Sequence, residues 1–168
     1  MKAKTPALSH ARLKELLSYD PSTGDFVWLV DRNQNVRAGS VAGKTHHSGY
    51  RYISVDSERI LAHRLAWFFV HGEWASDQID HIDGAKDNNA IANLREVSQS
   101  VNAQNKKRAR ADNSTGMLGV SYRSDEGRYI AQINIAGKNK HLGRFANSQD
   151  AHEAYLAAKR QHHEGCTL

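Results

Sequence analysis

The chain has 168 residues but a single cysteine, Cys166, so an internal disulfide is excluded, which fits a reducing compartment. Long apolar runs are missing too. The longest, Leu65 to Val70, is far too short to cross a bilayer, and the start Met1-Lys2-Ala3-Lys4 leads into no signal-type apolar segment. A soluble intracellular, cytoplasmic protein without a membrane partner is the expectation. His162, His163 and Cys166 crowd together at a chain end, unlike the usual zinc spacings, and read as a frayed helix terminus. An excess of either charge is absent from residues 1–102, which hold 12 Lys/Arg and 12 Asp/Glu, whereas residues 103–168 hold 11 and 6. All of the net charge of +5 therefore lies in the last third. A basic module beside a neutral one suggests a polyanionic partner, most simply nucleic acid. At this length and 39% hydrophobic content the chain can form one ordinary domain or two small ones.

The charge changes at a seam, Asn105 to Gly116, that contains no apolar side chain larger than alanine and reads as a linker. Its four basic residues, Lys106, Lys107, Arg108 and Arg110, can lie along phosphates or simply keep a tether solvated. Upstream, Ser9 can cap a helix through about Ser18 whose Leu13, Leu16 and Leu17 share a face. Pro21 to Gly24 breaks the chain, and Phe26 to Val30 resumes as a strand. Arg51 to Val55 and Arg59 to Leu61 flank Asp56-Ser57 as a half-exposed hairpin. A second helix, His63 to His71, is stopped by Gly72, with Leu65, Phe68 and Phe69 inward.

Ile79 to Asn89, IDHIDGAKDNN, departs from this scaffold-like pattern. Asp77 to Ile82 reads as a strand, Asn93 to Val97 as a second, and Ser98 to about Lys106 as a helix capped by Ser98. That order brings together Asp80, His81, Asn93 and Asn102. A carboxylate and an amide oxygen are hard ligands suited to Mg²⁺, which keeps several waters and accepts phosphate oxygens; Asp80 and Asn102 supply them. A neutral imidazole with a pKa near ~6.5 can take a proton from water, so His81 is the candidate general base. Adjacent strand residues point to opposite sides, which suits in-line displacement at phosphorus, with base and metal on either side. Asn93 could orient the imidazole by accepting its second N–H.

Asp80-His81-Ile82-Asp83-Gly84, Asn88-Asn89, Asn93-Leu94 and Asn102 together resemble the HNH nucleases, in particular the homing-endonuclease branch in which the last motif position is Asn. His63-Arg64-Leu65-Ala66 ahead of an aromatic helix extends the resemblance, which covers roughly residues 40–108. It implies a ββα-metal fold, one divalent cation (Mg²⁺ or Mn²⁺) and phosphodiester hydrolysis, with Asp80 and Asn102 as ligands, His81 as base and Asn93 as its support. Asn105, one helical turn beyond Asn102, is a rival second ligand. Asp83 and Asn89 are expected to hold the loop together.

After the seam, Gly119 to Arg123, Arg128 to Ile133, Lys140 to Phe145 and Asp150 to Tyr155 resemble the DNA-binding domain of plant ethylene-response factors, the Apetala-type domain. The resemblance implies three antiparallel strands on one helix, with the exposed sheet face in the major groove of double-stranded DNA. By position, Ser121, Arg123, Gln132, Asn134, Asn139 and His141 are base-reading candidates, and Arg128, Lys138, Lys140 and Arg144 lie near phosphates. Ser121 and His141 replace an arginine and a tryptophan of the plant pattern, so no target sequence carries over.

The expected fold class is α+β: a ββα-metal nuclease module with an N-terminal elaboration (1–105), a basic linker (106–116) and an Apetala-type domain (117–168). The expected activity is endonucleolytic cleavage of DNA, with site choice from the basic sheet. The alternatives are a DNA-binding regulator with a decayed nuclease motif and an RNA-processing nuclease. The latter is disfavoured because the A-form major groove is too deep and narrow to read.

Overall fold

A computed structural model describes residues 6–104, 109, 112–163 and 166, except for the side chain of Ala103. The chain divides into two compact units, Met1–Gln99 and Ser100–Leu168. Asn105, Lys106, Lys107, Arg108 and Arg110 lie outside the described residues.

In the first unit, helix α1 spans His10–Leu16 and is capped by Ser9, whose side chain accepts from Arg12 N. It ends earlier than its leucine spacing suggests. Leu17 instead opens strand β1 (Leu17–Tyr19), which pairs antiparallel with β2 (Phe26–Trp28). Pairing wins here because Leu17 and Tyr19 alternate into the core beside Phe26 and Trp28. Strand β2 also stops short of its apolar run: Leu29 and Val30 are exposed. Strands β3 (Lys44–Thr45), β4 (Arg51–Val55) and β5 (Glu58–Leu61) form a three-stranded antiparallel sheet, with the hairpin turning at Asp56-Ser57, both at positive φ. Helix α2 (Ala62–His71), closed by Gly72, packs on α1, β4 and β5 and buries Leu65, Ala66 and Phe68. Phe69 joins from the side, edge-on to Phe26. One core thus links α1, both sheets and α2 to Ile79 and Leu94 of the next hairpin.

That hairpin consists of β6 (Gln78–His81) and β7 (Leu94–Val97), with Asp80 opposite Arg95 and His81 opposite Leu94. Asn93 belongs to a short 3-10 turn, Ile91–Asn93, rather than to the strand. Helix α3, Gln99–Gln104, follows and starts at the boundary between the units.

The second unit carries β8 (Val120–Arg123), β9 (Arg128–Ile135) and β10 (Lys138–Phe145) in the antiparallel order β10-β9-β8, with α4 (Ser148–His162) packed on all three. Ala131 and Ile133 meet Ala151, Tyr155 and Ala158 in its core. Gly119 sits at φ +77 against Tyr155, where a Cβ would come within 2.0 Å of the ring. The end of the expected linker is tied to this unit. Asn113 Nδ2 donates to the carbonyls of Met117 and Val120, and Thr115 Oγ1 donates to Asn113 Oδ1. Lack of apolar side chains excluded apolar docking there, but Asn and Thr dock through hydrogen bonds instead. No helix among the described residues is long and apolar enough to cross a membrane.

Candidate nuclease site and nucleic-acid face

Asp80 and His81 lie at the end of β6 and are 7% and 5% exposed. Strand alternation sends them to opposite sides. Asp80 faces across the ladder to Arg95, whose Nε and Nη2 donate to Oδ2 at 3.1 and 2.8 Å. His81 enters an aromatic cluster, edge-on to His63 at 5.0 Å between centroids and 6.0 Å from Tyr50. Lys86 reaches back over the Tyr50 ring and donates to Ser48 O at 2.9 Å, tying the loop after β6 to the turn between β3 and β4.

Burial holds the His81 imidazole below its ordinary pKa; contact with Asn89 and the nearby Asp83, Asp80 and Asp87 carboxylates offset part of the shift. His63 is lowered further, to about 3, because it is buried and faces His81 and Arg64. Both rings are therefore neutral at pH 7, as a general base must be before it takes a proton.

The polar loop is a hydrogen-bonded knot centred on Asp83 and Asn93. Asn93 Oδ1 accepts from Asp83 N at 3.0 Å, and Asn93 Nδ2 donates to Asp83 Oδ1 and Asn88 O at 3.0 and 2.9 Å. Asn88 Nδ2 donates to Asp83 Oδ2 at 2.7 Å. Burial opposes ionisation of Asp83, but the Ala85 N–H and the Asn88 and Asn93 amides together hold its carboxyl below the usual range. The expected support of His81 by Asn93 is thus corrected. Both ends of the Asn93 amide are engaged in the loop, and it is Asn89 Oδ1 that lies 3.3 Å from His81 Nε2. Asn93 ends a 3-10 turn, one residue before the strand begins, so strand geometry does not aim it at the imidazole.

Asp80, His81 and Asn93 all stand in the first unit; Asn102 is half-buried on α3, past the unit boundary, and the rival Asn105 falls outside the described residues. Among the described residues no group of three or more His, Cys, Asp or Glu side chains could hold a metal ion. The donor set at β6 is one buried carboxylate whose Oδ2 is already held by the Arg95 guanidinium, so a hard cation there would have to draw most of its ligands from water and phosphate. Sequence reasoning missed Arg95 and Tyr50, and it named His63 and Asn89 without their contacts to His81. Arg95 could have been found by pairing the two strands so that each buries its apolar residues.

The second unit presents another surface. On the open side of its sheet, Asn134 pairs with Asn139, Gln132 with His141, Ile130 with Ser121 and Arg144, and Arg128 with Arg123. A register shift between His141 and Gly143 moves Arg144 onto this side. Lys138 and Lys140 do not join it, because they pair with Ile135 and Ile133, on the parity covered by α4. Both lysines are exposed, so their expected place near phosphates does not depend on the face that carries Arg128 and Arg144. Arg123 and Arg144 lie beside Asp125 and Glu126 at the β8–β9 turn.

The HNH endonuclease family model matches residues 61–104. This HNH segment runs from the end of β5 through α2, β6, the polar loop and β7 to α3, and so contains Asp80, His81, Asn93 and Asn102. No curated protein matches the chain. Among solved structures, one similar chain is described as "DNA binding and cleavage by the HNH homing endonuclease I-HmuI"; it is 23% identical, with 89% of this chain and 88% of that chain covered and a TM-score of 0.43. No likeness to the plant DNA-binding domain emerges from these comparisons.

Proposed function

We propose that the chain is a DNA endonuclease of the HNH type that hydrolyses phosphodiester bonds with one divalent cation, Mg²⁺ or Mn²⁺. The observation that carries this reading is the pair Asp80 and His81, buried at one strand end inside the HNH segment, one side chain facing the Arg95 guanidinium and the other a neutral aromatic pocket. His81 takes the proton of the attacking water. Asp80, with Asn102, would hold the cation, whose chemistry is to stabilise charge on the phosphate and the leaving oxygen. Asn93 and Asp83 keep the loop that follows β6 closed. Arg95 neutralises Asp80 and holds it in the ladder.

We further propose that the basic second unit supplies site choice, with Ser121, Arg123, Gln132, Asn134, Asn139 and His141 at base edges and Arg128 and Arg144 near phosphates, in an Apetala-like manner. Their shared open face supports this reading. A neutral nuclease unit is then supplied with its salt-sensitive affinity by its neighbour. Supercoiled plasmid titrated with Mg²⁺, Mn²⁺ and EDTA tests the proposal. Cation-dependent conversion to nicked or linear DNA is expected, and binding with no conversion under any cation would leave a regulator as the better reading.

A further inference from the structure

The loop that carries Asn89 is gripped from outside the HNH segment. Tyr19 Oη donates to Asn89 O at 2.8 Å in a buried contact, and Ile91 N donates to Pro21 O at 3.1 Å. Gly24, at φ +80, sits so close that a Cβ there would lie 2.2 Å from Asn89 C and 2.4 Å from Ala90 N. The β1–β2 hairpin therefore fits against the Asn89 backbone like a clasp, and only glycine permits the approach. Burial pushes the Tyr19 phenol up to about 12, so it stays a donor.

Asn89 itself is 1% exposed. Its Nδ2 donates to Asp87 O at 2.9 Å, which fixes the amide and turns Oδ1 toward His81 Nε2. An amide oxygen only accepts, so the facing ring nitrogen carries the hydrogen.

We propose that Asn89 is the positioning residue of His81, holding the Nε2–H tautomer so that Nδ1 receives the proton from water, and that the Tyr19–Gly24 hairpin sets Asn89 in place. The inference rests on His81 being the base. In the reaction a water O–H gives its proton to Nδ1, the water oxygen bonds to phosphorus, and the bond from phosphorus to the leaving nucleotide oxygen breaks with its electron pair on that oxygen, which takes a proton from solvent water to leave as a hydroxyl. Nε2–H stays on Asn89 throughout. The hairpin thereby acts on the base through Asn89.

The test uses the full chain, with ¹⁵N imidazole NMR at neutral pH beside single-turnover and steady-state cleavage of plasmid in Mg²⁺. Wild type is expected to show Nε2–H at His81. Asn89→Ala is expected to lose that tautomer preference and to lower kcat about tenfold or more with KM unchanged. Asn89→Asp, which keeps an acceptor oxygen, is expected to restore the tautomer and part of kcat. Tyr19→Phe removes only the hydroxyl and is expected to lower kcat several-fold, so the proposal stays testable if Asn89→Ala does not fold. An Nδ1–H tautomer in wild type overturns it, as does unchanged kcat in a folded Asn89→Ala or, failing that, in Tyr19→Phe. A wild type that shows Nε2–H yet cuts no DNA supports the positioning and overturns the function proposed above.

Discussion

Replacing His63 by glutamine should remove a large part of the acid sensitivity of the first unit. His63 is 6% exposed on α2, set against His81 and Tyr50, and its pKa falls from 6.5 to about 3. The unfolded chain's His63 takes up a proton as pH falls through about 6.5, whereas the folded one stays neutral to about 3. Protons therefore favour the unfolded state across that window. The associated stability is fully present above about 6.5 and is lost as pH falls. At about 1.4 kcal/mol per pKa unit, the loss reaches about 2 kcal/mol near pH 5 and about 5 kcal/mol below pH 3. His81 is shifted the same way, so the informative quantity is the difference between wild type and His63→Gln. Urea unfolding at pH 7 and about pH 5, followed by tryptophan fluorescence, measures it. The variant is expected to lose about 2 kcal/mol less than wild type between those pH values. Equal losses in the two proteins would refute a buried neutral His63.

Arg95→Ala removes a guanidinium from a buried carboxylate and should destabilise the cation-free protein by about 2 kcal/mol, measured by denaturant unfolding. Millimolar Mg²⁺ should recover more of the melting temperature in that variant than in wild type. Gly119→Ala would drive a methyl into the Tyr155 ring at positive φ and should cost the second unit about 3 kcal/mol or more, read as loss of gel-shift affinity. Deleting residues 113–168 should weaken binding and flatten site choice while leaving metal-dependent cutting detectable at low salt; an unchanged site preference would contradict the division of labour.

Local rules located most of the elements. The Ser9 cap, the Asp56-Ser57 turn, the helix stopped at Gly72 and the strand ending in Asp80-His81 are all written in nearby residues. What was not legible depends on partners distant in sequence. Asn89 reaches His81 only because Tyr19 and Gly24, some 65 to 70 residues upstream, hold its backbone. Within the loop, which asparagine meets the imidazole depends on where the 3-10 turn falls, and Asn-rich composition cannot tell Asn89 from Asn93. In the second unit, period-two reading alone would place Arg144 with Lys138 and Lys140. The irregularity between His141 and Gly143 reverses that, and a bulge leaves little trace in residue pattern. The seam shows the opposite limit, since counting apolar side chains overlooked the docking of Asn113 and Thr115.

The most direct measurement compares wild type with His81→Ala for both DNA binding and cleavage, in Mg²⁺ and in EDTA. Gel shifts should be equal, wild type should nick plasmid in Mg²⁺ alone, and His81→Ala should be slower by about 10²- to 10⁴-fold. Equal nicking by the two proteins, or nicking by wild type that persists in EDTA, would contradict an imidazole base working beside a bound cation.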